Sequence, residues 1–255
     1  MAAIALQKLP EIDDTVLRDA INAHLDFARE HLAARIPSGG RILDFGCGIG
    51  HSVRILLTLG YEAYGADVAE LWDRDYDTYW NVAEKPDAET ASRLRLIETS
   101  PYRLPFPDDY FDFCFSDQVF EHVFDYQAVF AELRRVLKPG ALSVHRFPGP
   151  GRLMEGHILL PSPVLCRSRA YLNLWALLGR RSPRQAGMGW RETAAQNAAL
   201  MAHNNYPTKG QLREQGRQAG VRIRFMDREE FAFRTGRRWA SRLGPLLQRY
   251  MVLSA

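Results

Sequence analysis

Apolar and polar positions alternate in two rhythms along the first 147 residues. Short apolar runs of strand length occur at 41–45 (RILDF), 61–67 (YEAYGAD), 93–98 (RLRLIE), 111–116 (FDFCFS) and 141–147 (ALSVHRF). Between them lie stretches with helical spacing. HSVRILLTLG runs to a stop at Gly60, and QAVFAELRRVL covers 127–137. Over 69–83, Leu71, Trp72, Asp75, Tyr76, Tyr79 and Trp80 recur at i, i+1, i+4 and i+5, a stripe that reads as core packing or as a cap on a pocket. Upstream, Ile12, Val16, Ala20, Ile21, Ala28 and Leu32 mark an amphipathic helix that Pro37 ends. Strands alternating with helices imply right-handed crossovers. The expected fold is α/β: a Rossmann-like, doubly wound, mainly parallel seven-stranded sheet with an inserted helical lid.

After Phe147 the rhythm breaks. FPGPGRLMEGHILLPSPV is rich in proline and glycine, and an arginine-rich helical stretch follows. Regular texture returns at TKGQLREQGRQAG, where Thr208 suits an N-cap and Gly220 a C-terminal stop. VRIRFMD and FAFRT then read as a strand pair. Three parts are expected: 1–147 as the N-terminal helix and Rossmann-like core, 148–206 as an arginine-rich insertion or lid, and 207–255 as the last helix, strand hairpin and C-terminal helix.

Composition narrows the class. The chain has 255 residues, 46% hydrophobic and 25% charged, as folded globular domains do. Its three cysteines (Cys47, Cys114, Cys166) form no CxxC pair and its seven histidines no HExxH, so neither a disulfide framework nor a metal site is expected. No uninterrupted apolar run reaches bilayer length, and no basic segment precedes the apolar N-terminal stretch; the expected location is the cytoplasm. Charge is uneven. Residues 1–150 carry 15 Lys and Arg against 24 Asp and Glu, whereas 151–255 carry 18 against 6. Between Glu155 and Glu192 stand six arginines (Arg167, Arg169, Arg180, Arg181, Arg184, Arg191) and no acid.

The chemistry begins at Asp44-Phe45-Gly46-Cys47-Gly48-Ile49-Gly50. A strand running into closely spaced glycines lets backbone N–H groups approach a ligand where a Cβ would clash. The spacing is GxGxG, without the third glycine of the dinucleotide fingerprint GxGxxG. Asp44 lies two positions before the first glycine. Asp67 follows Gly46 by 21 residues, at the end of the second strand, where its carboxylate suits both ribose hydroxyls. Cys47 reads as small filler in the loop.

In order, LDFGCGIG, GADV, LPFPDDYFDFCFSDQVFEHV and LRRVLKPGAL resemble the class I S-adenosylmethionine methyltransferases, in particular the small-molecule group that includes the ubiquinone and menaquinone pathway enzymes. The resemblance covers about residues 41–147, with a weaker echo at 205–235. It implies S-adenosyl-L-methionine as cofactor. Gly46, Cys47, Gly48 and Gly50 would pass beneath the methionine part, with Asp44 supporting the loop and the amino group. Asp67, with Val68 beside it, would hold the ribose, and Ser116 and Asp117 would face the methionine end. The chain departs from the pattern before LPF, where many relatives place an acid for the adenine amino group. Here Ser100 and Pro101 stand instead, with Tyr102 next and Glu98 as a substitute carboxylate.

If the acceptor is a hydroxyl, a base assists its deprotonation. His122, six residues past Ser116, leads, with helix capping or packing as an equal reading of the same residue; His157 and His145 are alternatives, whereas Glu121 reads as a solvated helix residue. The expected acceptor is a small molecule or a glycan- or lipid-linked intermediate, met on the side of 148–206; the arginine block 167–191 reads as a solvated face, as a site for an anionic acceptor, or as contact with an acidic membrane surface. Segment 163–184, where leucines, Trp175 and Tyr171 are flanked by arginines, fits peripheral contact with the inner face of a membrane. No nucleic-acid partner is expected. Two alternatives stay open: a non-catalytic cofactor-binding or scaffold protein, and a nicotinamide-dependent oxidoreductase, which the missing third glycine disfavours.

Overall fold

An amphipathic helix precedes the first strand. In α1 (Asp14–Leu32), Ile21, Leu25 and Ala28 recur at i, i+4 and i+7 and are buried. The computed structural model describes residues 14–70, 85–149, 154, 158–161, 168–227, 230 and 248–254. The expected helix at 69–83, the strand FAFRT, Cys166 and His157 lie outside the described residues, apart from 69–70, which are not helical.

From there the elements follow the expected alternation. β1 (Arg41–Phe45) leads through the glycine turn into α2 (His51–Thr58), and β2 (Glu62–Asp67) follows. α3 (Ala88–Ala91) is one turn long, capped by Asp87, whose side chain accepts from the Thr90 N–H. The stretch expected as one strand at 93–98 divides into β3 (Leu94–Leu96) and β4 (Glu98–Thr99), and β4 pairs antiparallel with β5 (Tyr102–Arg103) as a separate small ribbon. β6 (Phe111–Asp117) then enters the main sheet. Phe111, Phe113, Cys114, Phe115 and Ser116 are all buried, which is why this strand reads as a nearly unbroken apolar run. A short 3₁₀ turn at Phe120–His122 leads to α4 (Tyr126–Val136), whose Tyr126, Val129, Phe130, Leu133 and Val136 form its buried stripe. β7 (Leu137–Pro148) follows.

Later come α5 (Arg169–Leu177), α6 (Trp190–Ala202), α7 (Lys209–Gln218), β8 (Arg222–Phe225) and β9 (Gln248–Ser254). Thr208 caps α7 through a reciprocal pair with Gln211, as its place in the sequence suggested. Gly216 of α7 lies so close to β8 that a Cβ there would come within 2.5 Å of Ile223 Cδ1.

The main sheet has seven strands in the order β3-β2-β1-β6-β7-β9-β8. β1 runs parallel to both β2 and β6, β2 runs parallel to β3, and β8 and β9 pair antiparallel. This is the mainly parallel, Rossmann-like sheet the alternation implies. One detail differs. Residues 248–254, assigned to a C-terminal helix from sequence, are the antiparallel partner of β8, with Met251 opposite Phe225 and Leu253 opposite Ile223. The apolar, β-branched-containing run YMVL gains ladder bonds and burial on the sheet that local helical spacing cannot match.

The chain divides into two compact units. The first comprises the residues up to Ser116 together with Glu132–Ser143; the second comprises Asp117–Ala131 and Val144–Ser254. Within the second, Ile158, Leu160, Leu172, Met201 and Tyr206 form a buried cluster of their own, with Tyr171 and Trp175 packed against it.

Candidate functional site

The glycine turn is held by β2. The N–H groups of Gly46 and Cys47 both donate to the Ala66 carbonyl, at 2.7 and 3.2 Å, and the Gly50 N–H closes the turn on the Cys47 carbonyl at 2.9 Å. The last two glycines do different work. Gly50 (φ +84°) sits against the core, where a Cβ would lie 2.9 Å from Leu94 Cδ1 and 3.1 Å from Thr90 Cγ2. At Gly48 (φ +55°) a Cβ would meet nothing within 4 Å. Gly50 is glycine for packing; the side of Gly48 that a Cβ would take opens onto space.

Asp67 ends β2 and turns back onto that loop: the Gly48 N–H donates to its Oδ2 at 2.9 Å. The structure thus brings together two elements that the sequence places 19 residues apart. On either side stand exposed apolar side chains. Val68 is 58% exposed, and Leu96, the register partner of Asp67 on β3, is 46% exposed. Leu96 was not among the sequence candidates. Its signal was positional, since it ends the third strand level with Asp67.

Asp44 is buried in β1. Burial first, then the charges of Asp44 and Asp67, push the Cys47 thiol well above its ordinary value, so it stays protonated. Ser100 and Pro101, joined by a cis peptide, form the exposed turn between β4 and β5. Behind them Tyr102 is half-buried. Burial, then the charges of Glu132 and Asp67, raise its hydroxyl above the usual range, which places that ring in the field of Asp67. The following LPF segment is pinned by α4. The Leu104 N–H donates to Glu132 Oε2 at 2.8 Å, while Arg135 donates to the carbonyls of Leu104 and Phe106, each at 2.8 Å. Glu98 is exposed and sits opposite Arg103 in the β4–β5 ribbon.

β6 ends on buried Ser116 and half-buried Asp117. Asp117 is engaged at two points by Arg146: Nε donates to Oδ1 at 2.7 Å, and Nη2 donates to Oδ2. Burial alone would lower the Arg146 pKa, but the Asp117 carboxylate and the Tyr250 hydroxyl outweigh it and hold the guanidinium charged. Next to it, Gln118 adopts φ +58° and its N–H donates to the Arg146 carbonyl at 2.8 Å. Arg146 was also missed from sequence, where only its place near the end of the fifth strand marks it.

Among the histidines, His122 is exposed on the 3₁₀ turn, with Nδ1 3.2 Å from the His203 carbonyl oxygen. A neutral ring donating from Nδ1 keeps Nε2 as its acceptor nitrogen, the tautomer a general base requires. His145 is a different residue. It is fully buried with its ring centroid 4.5 Å from that of Phe120, and burial lowers its pKa to about 3, so it belongs to the core and not to the solvent-facing chemistry for which it was an alternative. Glu121 is likewise buried rather than solvated, because the 3₁₀ turn rotates it inward while His122 faces out.

Residues 43–144 match the family model of the methyltransferase domain, a span that runs from within β1 into β7 and includes the glycine turn, Asp67 and the end of β6. The chain carries a class I S-adenosylmethionine methyltransferase domain. The sterol 24-C-methyltransferase ERG6B of Gibberella zeae is 32% identical over 117 residues, 44% of this chain and 30% of that protein. The ubiquinone biosynthesis O-methyltransferase of Mesorhizobium japonicum is 32% identical over 137 residues, 54% of this chain and 51% of that protein. The similarity to these curated relatives therefore spans about half of their length or less, centred on the methyltransferase domain. In fold, the chain is similar to an S-adenosylmethionine dependent methyltransferase from Mesorhizobium loti, with a TM-score of 0.50 at 18% identity, covering 91% of this chain and 100% of that one.

Proposed function

We propose that the chain transfers the methyl group of S-adenosyl-L-methionine to an oxygen of a small-molecule acceptor of anionic, lipid-linked or sugar-linked character. The observation that carries this is the hydrogen bond between the Gly48 N–H and Asp67, which sets an acceptor carboxylate beside a loop with an open face. The residues fit the cofactor. A carboxylate at the end of β2 suits a ribose diol; the loop of Gly46, Cys47, Gly48 and Gly50, backed by buried Asp44, suits the methionine part; Val68 and Leu96 offer apolar surface for the adenine ring, with Ser100, Pro101 and Tyr102 at its rim. Ser116 and Asp117 are assigned to the methionine end. The sulfonium supplies an activated methyl, so the protein's share is alignment and water exclusion.

His122 is assigned as the base that takes the acceptor hydroxyl proton as the oxygen–methyl bond forms and the sulfur–methyl bond breaks, leaving S-adenosylhomocysteine and a methyl ether; His157 is the second candidate. The name of the Mesorhizobium japonicum relative supports oxygen, and that of the Gibberella zeae relative supports carbon as a second reading. The insertion at 148–206 is assigned to the anionic acceptor, and the stretch 163–184 to peripheral contact with the inner face of a membrane. Among the described residues no helix is long and apolar enough to cross one.

The test is calorimetric titration with S-adenosylmethionine and with NAD, followed by detection of S-adenosylhomocysteine formed with a panel of catechols and hydroquinones, with and without a carboxylate. Binding of the first cofactor and turnover of an acidic phenol are expected. Heat from NAD alone would overturn the assignment.

A further inference from the structure

α5 shows two different apolar sides. Its inner side packs on the second unit's own cluster: Leu172 and Ala176 are buried, and Tyr171 and Trp175 lie against Ile158, Leu160, Met201 and Tyr206. The Tyr171 hydroxyl donates to the Pro161 carbonyl. The aromatic residues that made this segment look interfacial in sequence therefore face inward. What faces out is aliphatic. Leu174, Leu177 and Leu178 are 53%, 58% and 66% exposed, at i, i+3 and i+4 on one face. They are three of the seven large hydrophobic side chains exposed among the described residues, gathered within five positions.

The helix then stops in a turn that fixes a cation beside this face. Gly179 (φ +80°) donates to the Ala176 carbonyl at 3.2 Å and the Arg180 N–H donates to the Trp175 carbonyl at 2.9 Å, the paired bonds of a Schellman motif. Arg180 Nε also reaches the Leu159 carbonyl, and Arg181 follows, its Nε bonded to the Met188 carbonyl. Arg169 opens the helix, exposed. No acidic residue occurs anywhere between Glu155 and Glu192.

We infer that this face of α5 docks on a bilayer surface bearing anionic phospholipid headgroups, with Leu174, Leu177 and Leu178 entering the acyl boundary and Arg169, Arg180 and Arg181 meeting the phosphates. The inference deepens the peripheral contact proposed above for 163–184 and rests on it. Charge selects the occupant. A bilayer with anionic headgroups complements an apolar stripe rimmed by arginine alone. A second copy of the same face would set arginine against arginine, a like-charge contact that disfavours a symmetric pair. Three leucines are too few to hold the chain at a neutral surface, so binding requires both elements.

The experiment is co-sedimentation of the full chain with vesicles of phosphatidylcholine mixed with phosphatidylglycerol, against phosphatidylcholine alone, with S-adenosylmethionine binding measured in parallel. The chain is expected to sediment with the mixed vesicles and not with the neutral ones. Replacing Leu174, Leu177 and Leu178 together by Ser, or Arg180 and Arg181 together by Gln, should each weaken partitioning by about tenfold or more. The leucine variant should keep the parent's thermal midpoint and cofactor affinity, since its three side chains are exposed; the arginine variant gives up the bonds to the Leu159 and Met188 carbonyls, so its partitioning is compared at a temperature well below its own midpoint. Failure to sediment with mixed vesicles, or equal sedimentation of the leucine variant, overturns the inference, as does a dimer in light scattering that the leucine variant abolishes. A chain that sediments but binds no S-adenosylmethionine leaves the inference standing and removes the proposed reaction; the opposite result removes the inference and the peripheral contact it deepens, and leaves the proposed reaction standing.

Discussion

The Gly48 N–H donates to Asp67 Oδ2 at 2.9 Å, so a single carboxylate ties the end of β2 to the loop that leaves β1. A carboxylate offers about four acceptor positions, and this bond uses one of them. The same group can therefore shape the loop and bind a diol. Asp67→Ala is expected to weaken S-adenosylmethionine binding by about tenfold or more, since hydrogen bonds to a charged group contribute roughly 1.5–3 kcal/mol each. Asp67→Asn should lose less, because the amide oxygen still accepts from Gly48. Calorimetric titration of both variants checks the order, and equal affinities for the two would contradict it.

The two glycines should separate in the same way. Gly50→Ala meets both a left-handed φ and the Leu94 and Thr90 side chains, so a loss of about 2–3 kcal/mol in stability is expected. Gly48→Ala meets only the backbone penalty, about 1 kcal/mol, but its methyl would enter the space assigned to the cofactor. Urea midpoints should therefore drop more for Gly50→Ala, while cofactor affinity falls more sharply, per unit of stability lost, for Gly48→Ala.

His122→Gln tests the base. The substitution keeps a polar side chain on an exposed turn, so the fold and cofactor affinity should be unchanged. With a phenolic acceptor, kcat is expected to fall by about 10²–10⁴-fold. Unaltered turnover would move the role to His157 or to an acceptor that ionises unaided.

Acid should expose His145. Its folded pKa of about 3 lies below the ordinary 6.5, so the buried neutral ring contributes fully above about pH 6.5, and that contribution is lost as pH falls toward 3. The loss is about 1.4 kcal/mol per pH unit for one proton. His145→Asn gives up packing on Phe120 and is expected to be less stable at neutral pH, with the gap to the parent narrowing by about 2 kcal/mol on moving to pH 5. Parallel urea curves at the two pH values measure it; a constant gap would show that another group governs the acid limb.

How much of this was legible depended on whether a residue's environment is local. β1, β6 and α4 could be read because a central strand is mostly apolar and a covering helix keeps a 3.6-residue stripe. Thr208 could be read because a cap satisfies its own first turn. The pairing of Asp67 with the glycine loop was anticipated as a neighbourhood, though the direct bond to Gly48 was not. Leu96 and Arg146 gain their interest from neighbours on other strands, Asp67 and Asp117, which no local pattern reveals. Glu121 misled because a charged residue beside His122 looks solvated, whereas its burial follows from how the 3₁₀ turn is seated. β9 misled because VRIRFMD reads as pairing with the nearer run FAFRT, whereas β8 takes its antiparallel partner from Gln248–Ser254.

Because β9 lies between β7 and β8 in the sheet, the strand made later separates two made earlier. While the chain emerges from a ribosome, Arg222–Phe225 has no neighbour among the described strands to receive its ladder bonds, and α7, pressed against Ile223 through Gly216, shelters it. The sheet closes by inserting a strand into a gap rather than by adding one to an edge, so a nascent chain stalled ahead of Gln248 would present two open edges and be a ready client for a holdase chaperone.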